Sequence, residues 1–330
     1  MSIRPALSGQ GILVTGGAGF IGSHLVDRLL AEGAGEVVVI DSLFLGDEAN
    51  LEAALLSGRC HFYRDDAEIA SSLDYIFSRH SVATVFNCAT KALNYSFLNP
   101  ANAFSTNVDV VLNLLEAQRR GVFKTLCHFS TSEVYGTAAY EPMDEMHPRT
   151  PTTAYAAGKA AADLAVESYV RMFDLDAYIV RPFNNYGPRQ NCRGELAGII
   201  PITAARILSG GEPEIHGTGK QSRDFIHVSD TVDAVIKLYA VMAPGDNINI
   251  STDNTCTVEN LISRICAHYD YRGAILRKQA RKADVQCHIA SNAKIRSLIE
   301  YLLTPFDQGL GDTLDWYARR LGDRRAACSG

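Results

Sequence analysis

The sequence predicts a doubly wound α/β protein, a parallel sheet covered by helices on both faces, followed by a smaller C-terminal α/β region. Three observations carry this expectation. Short apolar, β-rich runs alternate with helical patterns through the first half of the chain, a glycine-rich turn joins the first run to the first helix, and after Arg181 prolines and glycines break the alternation.

Taken in order, Gly11–Thr15 reads as a strand, Ile21–Glu32 as a helix and Glu36–Asp41 as a second strand. Thr84–Cys88, Thr125–Ser130 and Ala177–Val180 read as further buried strands, with helices Asn102–Arg120 and Tyr155–Phe173 between them. Near-continuous apolar strands belong in a sheet buried on both faces. The expected division is a nucleotide-binding region at 1–181, with 225–251 returning to it, and a substrate-binding region at 182–330. Within the latter, Val228–Tyr239 and Asn247–Ile250 are expected to rejoin the sheet.

The 330 residues are 47% hydrophobic and 21% charged, enough for an ample core. A net charge of -6 argues against a nucleic-acid binder, which carries a basic stripe. A small anionic substrate stays open, because a few arginines bind phosphate at any net charge. The apolar runs fall far short of the roughly 20 residues of a membrane span, so no membrane partner is expected. Met1–Gln10 does not read as a signal peptide. Eight scattered cysteines form no Cys-x-x-Cys pair, so reduced thiols and a cytoplasmic location are expected. The nine histidines show no paired spacing such as His-x-x-x-His, so no metal centre is expected.

The stretch Val14-Thr15-Gly16-Gly17-Ala18-Gly19-Phe20-Ile21-Gly22 lies between the first strand and the first helix. Gly16 permits a tight turn, Gly19 lets backbone N–H groups approach a pyrophosphate, and Gly22 allows close packing, with Phe20 and Ile21 opening the helix. The helix N-terminus supplies a favourable field for the anion. Asp41 ends the next strand, where a carboxylate bonds the adenosine ribose hydroxyls and repels a 2′-phosphate; the expected cofactor is NAD. Asp65 and Asp66 follow a third strand, and one of their carboxylates is a candidate for the adenine amino group, a solvated loop pair being the alternative.

Tyr155 and Lys159 lie four residues apart, on one face of a helix. A Tyr hydroxyl titrates near 10 unperturbed, and an ammonium one turn away stabilises its phenolate. The pair suits proton removal from a sugar hydroxyl coupled to hydride transfer, with Lys159 also available to the nicotinamide ribose. Upstream, Ser130-Thr131-Ser132-Glu133-Val134-Tyr135-Gly136 ends an apolar strand, and ligands of open parallel sheets sit beyond the carboxyl ends of strands. Thr131, Ser132 and Glu133 are therefore expected to face the site.

These three motifs together resemble the extended short-chain dehydrogenase/reductase family, specifically its NAD-dependent nucleotide-sugar epimerases and dehydratases. The resemblance continues through Arg181-Pro182-Phe183-Asn184-Asn185-Tyr186-Gly187-Pro188-Arg189, through Gly217 to Phe225, and through Arg281-Lys282-Ala283-Asp284 to a closing helix at Gly309–Trp316. It implies a Rossmann-type fold, a nucleoside-diphosphate sugar as substrate, and a homodimer formed by helices Asn102–Arg120 and Tyr155–Phe173. It implies Thr131, Tyr155 and Lys159 as the catalytic set, Asn107 as support near the active site, and Asn184, Arg223 and Arg281 at the diphosphate. Arg189 and Arg193 are placed to meet either a substrate carboxylate or solvent.

Members of the family open by oxidising sugar C4. The resemblance implies that Glu133 acts as the C5 base of a 4,6-dehydratase, since 4-epimerases commonly carry a small residue there. Ser132 instead fits UDP-glucuronate decarboxylases and GDP-mannose dehydratases. The favoured expectation is 4,6-dehydration, with decarboxylation next and 4-epimerisation third; a non-catalytic NAD-binding regulator is the remaining reading.

Overall fold

The computed structural model describes residues 2–280 and 289–328, with side chains described to residue 322. Seven parallel strands form the central sheet: β1 (Gly11–Thr15), β2 (Glu36–Ile40), β3 (Cys60–Tyr63), β4 (Thr84–Asn87), β5 (Thr125–Phe129), β6 (Asp176–Pro182) and β7 (Asn247–Ile250). Their spatial order is 3-2-1-4-5-6-7. The order reverses between β1 and β4, the switch point at which open α/β sheets bind ligands.

Alternation along each strand feeds two cores. Ile12, Val14, Val37 and Val39 face one side, with helices α1 (Phe20–Ala31) and, from late in the chain, Val228–Tyr239. Leu13, Val38 and Ile40 face the other, under helices α2 (Ala70–Arg79), α3 (Pro100–Arg119) and α4 (Ala154–Phe173). Asn99 and Thr153 begin α3 and α4 by accepting the Asn102 and Ala156 N–H groups, the usual answer to unsatisfied first-turn donors. A Cβ on Gly158 would lie 2.7 Å from the Phe104 carbonyl oxygen. Only glycine lets α3 and α4 approach so closely, and that approach sets where the first turns of α4 point.

Beyond β6 the elements shorten. Asn184–Tyr186 pairs with Phe225–His227, and Glu214–His216 with Leu276–Lys278, both in parallel. Helices α5 (Ile199–Leu208), α6 (Val228–Tyr239), α7 (Val258–His268) and α8 (Phe306–Cys328) follow in chain order. Of these, α5, α7 and α8 share a separate core around Tyr186, Phe225, Leu261, Leu314 and Tyr317. His227 is the N-terminal cap of α6; its Nδ1 accepts from Ser229 N at 3.4 Å. No helix among the described residues is long and apolar enough to cross a membrane.

Arg181 joins these parts. It is 1% exposed, and its Nε and Nη2 donate to Asp163 Oδ2 on α4 at 3.1 and 2.9 Å. Nη1 donates to Tyr135 Oη at 3.0 Å and Asn247 Oδ1 at 2.6 Å. Removing one member of a buried pair leaves the other charge uncompensated. Asp163→Ala is therefore expected to cost about 3–5 kcal/mol, read as a fall in the urea midpoint; a change near zero would show that water reaches Arg181.

Candidate functional site

The carboxyl ends of β1, β2, β4, β5 and β6 surround a cavity of ≈ 440 Å³. The glycine loop forms one wall. Gly16 has φ +68°, and a Cβ there would sit 2.8 Å from the Ala89 backbone at the end of β4. A Cβ on Gly22 would meet the Gly16 carbonyl oxygen at 2.2 Å. The contact Gly22 permits is therefore with the loop itself. Gly16, Gly19, Phe20, Ile21 and Gly22 all line the cavity, leaving a concave backbone wall at the start of α1 that side chains would otherwise fill.

Asp41 lies at the end of β2 and faces the same space. Its carboxylate accepts from Leu43 N at 2.8 Å and Ala18 N at 3.0 Å, fixing the loop. Burial raises its pKa, and those backbone N–H groups oppose the rise. Of the acidic pair after β3, only Asp66 reaches the cavity wall; Asp65 is exposed and accepts from the Asp66 N–H at 2.8 Å. These residues fit NAD: a backbone cradle for pyrophosphate with an acid beyond it for the ribose.

At the other end, Tyr155 and Lys159 open α4, facing Thr131, Ser132 and Glu133 on the short turn after β5. Burial pushes the Tyr155 phenol up to about 12; hydrogen bonds with Thr131 and Thr90 oppose this, and the Glu133 carboxylate adds to it. Burial lowers Lys159 to about 8, while Asp163, one turn further along α4, pulls it back up. The Lys159 ammonium donates to the Phe129 carbonyl oxygen at 2.9 Å. Thr131 Oγ1 also accepts from Glu133 N at 3.2 Å, so one side chain positions both the phenol and the acid.

Thr90 escapes a motif-based reading, although its place just beyond β4 follows the strand-end rule. Asn107 explains how it is held. Buried in α3 behind the cavity wall, its Oδ1 accepts from Thr90 Oγ1 at 2.8 Å and Lys91 N at 3.3 Å. Asn107 thus positions the Thr90–Lys91 loop and does not itself line the cavity. Among the described residues, Lys91 and Lys159 are the cations that line it. The Lys91 ammonium lies 4.3 Å from the Phe44 ring centroid.

The expected diphosphate residues are less gathered. Asn184 lines the cavity. Arg189 lines an adjoining cleft with Arg193, Trp316 and Arg320, and is held by an ion pair to Asp27 at 2.8 Å. Arg223 lies in a two-residue strand paired with Cys256–Thr257, donates to the Ser222 carbonyl oxygen at 2.9 Å, and reaches neither wall. Arg281 and the Lys282–Asp284 stretch fall outside the described residues.

A dinucleotide loop at the switch point of a 3-2-1-4-5-6-7 sheet, with a Tyr/Lys pair across the cavity, defines an extended short-chain dehydrogenase/reductase. The family model for the NAD dependent epimerase/dehydratase family matches residues 12–251, and the chain belongs to that family; its cofactor is NAD. It is similar to a UDP-glucose 4-epimerase of Mycolicibacterium smegmatis, 37% identical over 242 residues, 73% of this chain and 76% of the relative. It is also similar to UDP-glucuronic acid decarboxylase 3 of Arabidopsis thaliana, 33% identical over 261 residues, 77% and 73% of the two chains. The crystal structure of a dTDP-glucose 4,6-dehydratase from Streptomyces venezuelae with NAD bound superposes at a TM-score of 0.89 with 30% identity, covering 95% of this chain and 98% of that one.

Gly22→Ala tests the loop. Because the Gly16 carbonyl cannot yield to a Cβ at 2.2 Å without moving the cradle, NAD should bind at least roughly tenfold more weakly, about 1.4 kcal/mol. A fluorescence titration giving an unchanged Kd would show that the cradle does not carry NAD affinity.

Proposed function

We propose that this protein is a nucleotide-sugar 4,6-dehydratase. The observation that carries the reading is Glu133, a carboxylate in the cavity wall on the same turn as Thr131 and next to the Tyr155 phenol. Bound NAD supplies one chemistry, the acceptance of a hydride from sugar carbon and its later return. The remaining steps fall to the chain's own side chains.

Tyr155 takes the proton of the C4 hydroxyl. That needs the phenolate, so the resting phenol must first lose its own proton to solvent; a hydrogen bond from Thr131 stabilises that anion, which returns to the neutral phenol on taking the sugar's proton. Tyr155 is the second residue of α4, where the helix N-terminus also favours negative charge. Lys159 is at least half protonated below its pKa of about 8 and adds a cation one turn away. A ketone at C4 acidifies the C5 proton, which Glu133 removes; the carboxylic acid so formed hands that proton to the C6 hydroxyl, which departs as water.

Ser132 favours a second reading. It is 3% exposed and supplies a hydroxyl beside Glu133 where protonating a departing C6 hydroxyl calls for an acid. Loss of CO2 from a C4-ketone of a glucuronate needs no such acid, so UDP-glucuronate decarboxylation is the alternative; 4-epimerisation ranks third because it leaves Glu133 without a step. In either reading the substrate is a nucleoside-diphosphate sugar. Its phosphates would meet Lys91 and Asn184, with the Arg189, Arg193 and Arg320 cleft adjoining.

A product screen by mass spectrometry with UDP-glucose, UDP-N-acetylglucosamine, UDP-glucuronate, dTDP-glucose and GDP-mannose tests the assignment. Loss of water is expected; loss of CO2 selects the alternative, and an epimer of unchanged mass refutes both. On the active substrate, Glu133→Gln should slow product release from the sugar by about 10²–10⁴-fold while reduced-nicotinamide absorbance still develops in a single turnover. Tyr155→Phe should abolish both signals.

The same reading includes a homodimer. Phe97, Leu98, Phe104 and Leu164 are exposed apolar groups on and beside the α3–α4 pair, 40–60% accessible, and a contiguous apolar patch marks an interface. Leu164→Glu should halve the sedimentation mass; an unchanged mass would remove this face as the interface.

A further inference from the structure

We propose that Glu36, His61 and His80 form a zinc site at the end of the sheet opposite the catalytic cavity. Glu36 is the first residue of β2 and His61 the second of β3, next to the sheet's edge. His61 pairs in register with Val38, and Glu36 lies two residues before Val38. Period-two alternation therefore puts the carboxylate and the imidazole on one face of neighbouring strands. Val38 turns that face towards α2, and His80 is the residue that ends α2. Three segments without any metal-binding spacing in sequence thus deliver three ligand groups to one point.

The geometry is that of a coordination shell. One ligand atom from each residue lies within 4.8 Å of the others. His80 Nδ1 is 2.9 Å from Glu36 Oε2, and His61 Nε2 is 3.7 Å from the same oxygen. Ligands at about 2.0–2.1 Å from a tetrahedral zinc stand roughly 3.3 Å apart, so these two separations bracket the required edge. The two imidazole rings already lie with centroids 5.0 Å apart, tilted by 40°.

A second observation supplies the outer support that a metal-bound histidine needs. His80 Nε2 lies 2.8 Å from Tyr63 Oη, on the same strand as His61. That contact holds the far nitrogen and directs Nδ1 at the carboxylate. Metal-bound histidines have this outer support, a partner on the nitrogen that does not ligate. With zinc on Nδ1, the Nε2–H donates to the tyrosine oxygen. His80 is 10% exposed, Glu36 28% and His61 46%, so the ion has an open approach and a fourth position for water.

Two imidazoles and one carboxylate suit zinc among the divalent ions, whereas calcium and magnesium prefer oxygen ligands. The site lies away from the reacting carbons, at the opposite ends of the strands. Its consequence is structural: it clips the edge strand β3 to β2 and to the end of α2.

The test uses the full chain loaded with NAD, freed of metal by chelation and titrated with zinc chloride in a calorimeter. One zinc per chain is expected. His61→Gln, at an exposed position, should weaken that site by about tenfold or more, and Tyr63→Phe by about tenfold through the outer contact. Cobalt in place of zinc should give the visible spectrum of a tetrahedral nitrogen–oxygen site, lost in His61→Gln. NAD binding, unchanged in both variants, confirms that they fold. Absence of saturable binding, equal affinity in wild type and His61→Gln, or a thiolate-type cobalt spectrum would each overturn the proposal; the last would assign binding to the cysteines.

Discussion

The buried ion pair between Arg181 and Asp163 sets the conditions for the rest of the structure. Arg181 comes from β6, Asp163 from α4, and the other guanidinium contacts reach Tyr135 on the turn after β5 and Asn247 at the start of β7. One side chain thereby fixes the two sources of the reacting groups, α4 and the Thr131–Glu133 turn, against the same strand. Asp163 also lies one helical turn beyond Lys159 and holds up the pKa of that ammonium. A hydrophobic replacement could fill the space, but it would remove the charge that keeps Lys159 partly cationic in a dry setting.

Burial acts on the reacting pair in opposite directions. It raises Tyr155 to about 12 and lowers Lys159 to about 8, because a low dielectric disfavours any isolated charge. At rest the site therefore holds a neutral phenol near a weakened cation. Thr131 supplies the compensation, its Oγ1 anchored by the Glu133 N–H, while Thr90, whose hydroxyl donates to Asn107, flanks the phenol on the other side. Hydrogen bonds held in place before reaction cost no reorganisation when charge develops. The family membership accounts for the Tyr/Lys pair; Thr90 and Asn107 account for how this chain holds the phenol's oxygen.

Much of the fold was legible in the sequence. Strands β1, β2, β4, β5 and β6 and helices α1, α3 and α4 fall within a few residues of their sequence-derived positions, because apolar periodicity is a local property that neighbouring side chains impose. The glycine loop and Asp41 were legible for a similar reason, since strand, turn and helix are contiguous. Beyond residue 182, α6 and β7 also fall where the sequence placed them, but the two- and three-residue strands were not legible. Those strands are short, and they rest on the shared core around Tyr186, Phe225 and Leu314, contacts that no window of sequence contains.

The sequence by itself determined the parallel sheet, the dinucleotide loop with its acid, and the Tyr155/Lys159 pair, all of which depend on spacings of a few residues along one element or turn. Tertiary structure decided which groups meet. It selected Asp66 over Asp65, gave the supporting Asn107 its partner in Thr90, tied Arg189 to Asp27, and kept Arg223 off the cavity wall. It also brought Glu36, His61 and His80 together where histidine spacing suggested no metal site. The reason is geometric: adjacent strands of a parallel sheet are separated in sequence by a whole helix, so side chains that touch across strands or loops carry no fixed interval for a sequence to display.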